Sequence, residues 1–358
     1  KGNLFHEFAS FYVTYPNIIK EIGIDFFVDQ MIKEYKKLVD DAVLDVERTR
    51  FRIGLKNLCS FLDSLQIDKN INNIPNIKVS KENRFAKMLG LEYESINAEL
   101  VFEDNETHIN GVFDLMVNNV TIVDHKSGEN LKTKTSIVKK SHIKPQEEPD
   151  YQVKMYILEM RRINPNDLYF IYDYFMDKYE DVIDGKSDFT GGLVEIKYYH
   201  KDFNEFITTD DGIELLMSTS KERRKNIERI GKDNLIQFFM QNPIPREMQF
   251  DDELLLNSDY CKRFCNYVLG FINSRSQNIY KNIADILKGI VSIRTAESRN
   301  IKTVYFFKDD IDEFEQFLIE KYYEVLSYIN DNFPFRPINR DICDKCNFAD
   351  ICLKRYDG

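Results

Sequence analysis

The segment INGVFDLMVNNVTIVDHKSG, residues 109–128, sets three charges into an otherwise apolar, strand-like run: Asp114, Asp124 and Lys126. Asp124 and Lys126 are two apart, so they share one face of a strand. If Asp114 on the preceding strand points the same way, two carboxylates converge with an ammonium beside them. Alone in an apolar site the two would repel, and one would protonate. A hard divalent cation such as Mg²⁺ or Mn²⁺ resolves the conflict, because it takes oxygen ligands. Lys126 is then placed to orient a water or to stabilise charge on a phosphate. The competing reading is a solvated strand face with incidental charges. Val112, Phe113, Leu115, Ile122 and Val123 are too apolar for that.

This chemistry carries a register condition. A two-residue turn at Asn118–Asn119 sets Asp114 across from Val123 and turns Asp124 to the opposite face. A three-residue loop or a bulge sets Asp114 opposite Asp124. The metal reading therefore predicts an irregular hairpin. His125 points away from Asp124 and Lys126, so its ring is not expected to take part.

A second group of residues suited to metal is soft. Three of the six cysteines, Cys343, Cys346 and Cys352, crowd the last sixteen residues. The chain does not open on a signal-peptide pattern, so a reducing, intracellular setting is expected, with metal favoured over disulfides. Three thiolates this close suit an iron–sulfur cluster or zinc, and cysteines alone do not separate the two. Cys59 lies on an apolar helix face and reads as core packing. Cys261 and Cys265 stand one helical turn apart.

The elements that must position these residues follow from periodicity. Residues 3–66 read as mostly helical, with Phe26, Phe27, Met31, Tyr35 and Leu38 at helical spacing. The opening KGNLFHEF reads like the inside of a helix, so a native N-terminus upstream of it is expected. Strands follow in YESINAELVFED, THINGVFDLMV and VTIVDHK. Residues 149–163 form a helix, 167–176 and 191–199 two more strands, and 201–290 a mainly helical stretch broken at QNPIPREM. KTVYFF reads as one further strand before a long amphipathic helix. The order describes an α/β protein with helical insertions. It divides into a core at 1–200, a mainly helical region at 201–334 and a cysteine-bearing tail at 335–358.

The net charge of −11 argues against a generally adhesive nucleic-acid binder. A local basic groove is sufficient, however. The loop after Lys126 supplies Lys132, Lys134, Lys139, Lys140 and Lys144 against one acid, Glu129. A solvated flexible loop would look the same. No apolar run is long enough for a membrane span. The chain holds no G-x-x-x-x-G-K-[ST] phosphate loop, so an ATP-driven motor would have to be a separate partner.

GVFD…VDHKSG resembles the PD-(D/E)XK nuclease signature, specifically its RecB-like exonuclease branch. GNLFH at 2–6 is similar to the branch's G-x-x-x-H, QVKMY to its Q-x-x-x-Y, and CDKCNFADIC to the C-x₂-C-x₅-C of its iron–sulfur members. Each motif is weak alone; five in the right order are specific. The resemblance implies a restriction-endonuclease-like core with a mixed sheet flanked by helices. It implies a metal-dependent DNA nuclease of repair or recombination, probing single strands or DNA ends, with a helicase or other repair protein as a partner. His6, Asp114, Asp124 and the backbone carbonyl of His125 would hold one or two Mg²⁺ or Mn²⁺ ions. Gln152 and Tyr156, four apart on one helical face, would contact DNA or the site. Cys343, Cys346 and Cys352 would hold a [4Fe-4S] cluster, with zinc as the alternative. The branch's first cysteine lies upstream of its G-x-x-x-H helix, and this chain has no cysteine before His6. SDYCKRFCNYVLGF resembles the segment that carries it, which makes Cys261 the expected fourth ligand and Cys265 the alternative. An acid near Glu99 assists metal binding in some members, although a plain strand-edge carboxylate fits equally. The rival readings are an inactive module of this fold that holds DNA ends, and a structural zinc protein.

Overall fold

The computed structural model of the chain describes residues 2–37, 41–65, 67, 77–103, 110–127, 134–139, 142, 151–176, 182–184, 192–272 and 279–330. Cys343, Cys346, Cys352, Lys132, Lys140 and Lys144 lie outside them. Two compact units divide the chain, Lys1–Asp312 and a second beginning at Glu313.

Four helices open the first unit: α1 (Gly2–Thr14), α2 (Pro16–Ile22), α3 (Ile24–Tyr35) and α4 (Asp41–Ser64). Proline at the first position of α2 supplies a preset φ where no amide partner is lost. Gly23, at φ 88°, takes a conformation open to glycine and splits α2 from α3. The apolar stripes of these helices meet in an aromatic core in which Phe8, Phe11 and Phe85 surround Phe27. Gly54 lets α4 approach the chain after the fifth strand, since a Cβ there would lie 2.5 Å from Met176 Sδ.

The helices pack on a seven-stranded mixed sheet of β1 (Ile77–Lys78), β2 (Ala98–Glu103), β3 (Asn110–Val117), β4 (Thr121–Lys126), β5 (Leu168–Tyr174), β6 (Leu193–Tyr199) and β7 (Thr303–Phe307), in that spatial order. The β4–β5 and β6–β7 pairs are parallel and the rest antiparallel. Each parallel pair requires a crossover. Between β4 and β5 run α6 (Lys134–Val138) and α7 (Gln152–Ile163). The β6–β7 crossover is the helical region, α8 (Phe203–Phe206) to α14 (Ile279–Thr295), which has its own apolar core around Phe238, Phe264 and Ile286. β7 returns from it to the sheet, so residue 200 does not separate sheet from helices. Arg294 and Asp310, both fully buried, form a two-pronged ion pair at 2.6 and 3.0 Å that fastens the helical region beside β7. The last helix, α15 (Lys308–Asn330), starts at this pair. Beyond Glu313 it is a polar-faced helix with close pairs such as Lys321–Glu324.

Among the described residues no helix is long and apolar enough to cross a membrane.

Candidate metal centre

The hairpin between β3 and β4 is irregular. Val117 pairs with Thr121, which leaves Asn118, Asn119 and Val120 as a three-residue loop. Both asparagines have positive φ, 53° and 57°, as a type I′ turn demands, and the Val120 amide closes it on the Val117 carbonyl at 3.2 Å. Val120 is the extra residue, and its carbonyl accepts the Tyr169 amide of β5 at 2.8 Å. Leu115 then faces Val123, and one step further Asp114 falls opposite Asp124. There the ladder opens: the His125 amide donates to Asp114 Oδ2 at 2.8 Å instead of to a strand carbonyl.

The same row extends into β2. Ala98 pairs with Leu115 and Leu100 with Phe113, so Glu99 falls opposite Asp114. Glu99, the second residue of β2, has φ 52°, a left-handed conformation that costs an L-residue roughly 1–2 kcal/mol. Gly111, the glycine three residues before Asp114, sits under the Phe102 ring; a Cβ there would lie 2.3 Å from the ring edge.

His6 reaches the row from α1. Its Nε2 donates to the His125 carbonyl at 3.0 Å, and its Nδ1 lies 3.3 Å from Asp114 Oδ1. One ligand atom each from His6, Glu99 and Asp114 falls within 4.8 Å of the others. Two carboxylates and an imidazole at that spacing fit a divalent cation. Glu99 is the member that sequence reasoning left uncommitted. The His125 carbonyl, an expected ligand, accepts from His6 and keeps a second lone pair.

Asp124 faces a second cluster. Lys126 Nζ lies 2.5 Å from its Oδ2, and Gln152 Nε2 donates to its Oδ1 at 2.8 Å. Lys126 also donates to Gln152 Oε1 at 2.9 Å, so the amide of α7 bridges acid and base. Gln152 Nε2 is 3.3 Å from the Tyr156 hydroxyl, which donates to the Val112 carbonyl at 3.0 Å. The Lys126 ammonium lies 5.2 Å from the centre of the Tyr172 ring. The structure thus brings His6, Asp114, Asp124, Lys126, Gln152 and Tyr156 together. The His125 ring turns away, buried and 3.0 Å from Asp173 Oδ2. Of the apolar flank, Val112 is exposed while Phe113, Leu115, Ile122 and Val123 are buried.

Electrostatics follow from three acids in one row. Burial and the Asp114 charge push the Asp124 carboxyl above its ordinary range, despite Lys126. Burial and Asp114 do the same to Glu99. Burial also pulls Asp114 upward, but the hydrogen bond and charge of His6 outweigh it and hold Asp114 low. Burial pulls the His6 imidazole down; the Asp114 carboxylate outweighs that and leaves it raised. A cation among these groups would relieve the repulsion that raises Asp124 and Glu99.

The remaining expected residues lie elsewhere. Lys139 is exposed. Lys134 is half-buried near Glu195 and Lys302, and burial lowers its pKa. Cys261 and Cys265 are buried on one face of α13 (Asp259–Leu269), within the core of the helical region. Burial and the neighbouring Cys261 push the Cys265 thiol up to about 12.

No family model, curated protein or solved structure matches this chain.

Proposed function

We propose that this chain is a metal-dependent phosphodiester hydrolase acting on DNA, with a PD-(D/E)XK core of the RecB-like kind. The observation that carries the reading is the single row Glu99, Asp114, Asp124 across three strands, with His6 at one side and the Lys126–Gln152 pair at the other. A structural role does not account for three acids in register or for a strained Glu99.

His6, Glu99 and Asp114 would hold Mg²⁺ or Mn²⁺, with Asp124 beside them. The ion would supply Lewis acidity and a water of lowered pKa. The protein's part is positioning. Lys126 keeps its ammonium against Asp124 and directs positive charge to where a phosphate oxygen becomes more anionic. Gln152 fixes the separation of acid and lysine by bonding to both. Tyr156 anchors α7 on β3 through the Val112 carbonyl. His6 closes the site from above and neutralises Asp114 when protonated. The reading extends to an iron–sulfur cluster on Cys343, Cys346 and Cys352, supported by their spacing. Iron and sulfide content of the purified protein tests that part.

The test of activity is degradation of labelled single-stranded DNA with Mg²⁺ or Mn²⁺, comparing the protein with Asp124→Ala. Metal-dependent cleavage that disappears in the variant supports the reading. Intact DNA with both proteins would move it to a DNA-binding module without hydrolysis.

A further inference from the structure

The sheet has one face that its surroundings do not explain. In β5–β7 the residues toward α7 are buried: Phe170, Tyr172, Val194, Ile196, Tyr198, Val304 and Phe306. Their alternates face the other way, and there Tyr169 is 44% and Leu193 47% exposed, with Glu195 exposed and Lys197 and Tyr305 half-buried. A solvated strand face is normally polar. This one is rich in tyrosine. Ile171 packs against the N-terminal helical core, and Tyr199 and Tyr305 against the core of the helical region. The open strip therefore lies between the two cores, on the opposite face from Tyr172 and Lys126.

Its chemistry is specific. Tyr169, Lys197 and Tyr305 form one row across β5, β6 and β7. The Lys197 ammonium lies 5.1 Å from the Tyr169 ring centre and 4.4 Å from that of Tyr199, and Tyr199 stacks on Tyr305 at 6.1 Å. Thr303 pairs with Glu195 and its hydroxyl donates to the Glu195 carboxylate at 3.3 Å, which sets exposed Lys302 next to that acid, and Lys134 at the start of α6 is close enough to feel both charges. An exposed ring backed by two half-buried ones, with lysines beside them, matches a ligand that offers flat π-faces and a chain of negative charges.

We infer that this strip is a stacking platform for single-stranded nucleic acid, separate from the hydrolytic centre. Tyr169 takes a base on its open side, and Lys197, Lys134 and Lys302 take the phosphates. The choice of occupant rests on the nuclease reading; the platform itself rests on the exposed Tyr169 ring, its tyrosine neighbours and the lysines beside them. Tyr169 and Tyr172 are three residues apart on β5, about 10 Å, and face opposite ways. A small phosphodiester cannot engage both sites.

The test is fluorescence anisotropy with a labelled oligothymidylate of twenty residues, in EDTA so that nothing is cut. Tyr169→Ala should weaken binding about five- to one-hundred-and-fifty-fold, the loss expected for one stacked base. Tyr169→Phe should restore it. Lys302→Glu should flatten the dependence of log K on log salt by about 0.7, one phosphate contact. Hydrolysis of bis(4-nitrophenyl) phosphate with Mn²⁺ should be unchanged in all three. Binding by Tyr169→Ala equal to the unmodified protein, equal competition by duplex of the same sequence, or no binding of the oligonucleotide at all would each overturn the platform. Oligonucleotide binding that depends on Tyr169 in a protein that hydrolyses nothing would keep the platform and sink the nuclease reading.

Discussion

Asp124→Asn should make the metal-free protein more stable while weakening its response to metal. Asp124 is 3% exposed, and burial plus the Asp114 charge raise its pKa in the fold even with Lys126 at 2.5 Å. Its ionised form is therefore disfavoured by folding, and a neutral isostere removes that cost. The gain should be of the order of 1 kcal/mol, typical for relieving a functional site. Neutral amide oxygen still accepts from Gln152, so the geometry survives. The first unit holds about 310 residues, so each kcal/mol moves Tm by about 1.5 °C. In EDTA at pH 7 the variant should melt about 1.5 °C higher. Mn²⁺ at about one hundred times its Kd stabilises a single site by about 2.7 kcal/mol, and that should raise the unmodified protein by about 4 °C and the variant by much less. The order of stability then inverts between EDTA and Mn²⁺. The pH sign follows: the destabilisation is absent below the unfolded carboxyl pKa, about 3.9, and develops as pH rises through the raised folded value. The variant's advantage in EDTA should shrink as the pH falls through that window. Scanning calorimetry reads all of these. A variant less stable than the parent in EDTA, or equally stabilised by Mn²⁺, would refute the reasoning.

Three further outcomes follow from the same geometry. Lys126→Met should lower cleavage by about 10²-fold or more, the loss typical of one charge-stabilising donor, with Mn²⁺ binding by calorimetry retained. His6 has a raised folded pKa, so its contact with Asp114 stabilises the metal-free protein fully below the unfolded histidine pKa and is lost as pH rises through the folded value. Mn²⁺ takes a neutral imidazole nitrogen, so calorimetry in two buffers of different ionisation enthalpy should show proton release that grows as pH falls and is lost in His6→Ala; pH-independent binding would exclude His6 as a ligand. Deleting Val120 should leave a two-residue Asn–Asn turn, shift the register by one and remove the tie to Tyr169; a folded deletion variant that still gains Tm from Mn²⁺ would show that the loop does not set the site.

Much of the frame is legible in the sequence because its signals are local. The β-branched run that opens Thr121–Lys126 and the apolar stripe of Gln152–Ile163 each lie within one element. The hairpin is nearly as local: two asparagines tolerate positive φ, and the condition that Asp114 meet Asp124 selects the three-residue loop that the structure contains. Gln152 and Tyr156 sit on one face because helical spacing puts them there. β1, a two-residue strand, and α5 (Arg84–Met88) carry too few residues for any periodicity to show.

Glu99 was legible as an acid and not as a partner of Asp114. Its place in the row depends on the register of β2 against β3, and no turn of known type links the two in the sequence. Its left-handed φ cannot be read from a glutamate at all, since only glycine or asparagine advertises that conformation. The tyrosine platform was hidden for a different reason. Tyr305 is separated from Tyr169 and Lys197 by the whole helical region, and the property the three share is a row across the sheet. Charge counted along the chain directs attention to the lysine-rich loop; charge and aromatic faces counted across strands direct it to the open side of β5–β7. The two views meet at Lys134, which opens α6 in that lysine-rich stretch and feels the charges of Glu195 and Lys302.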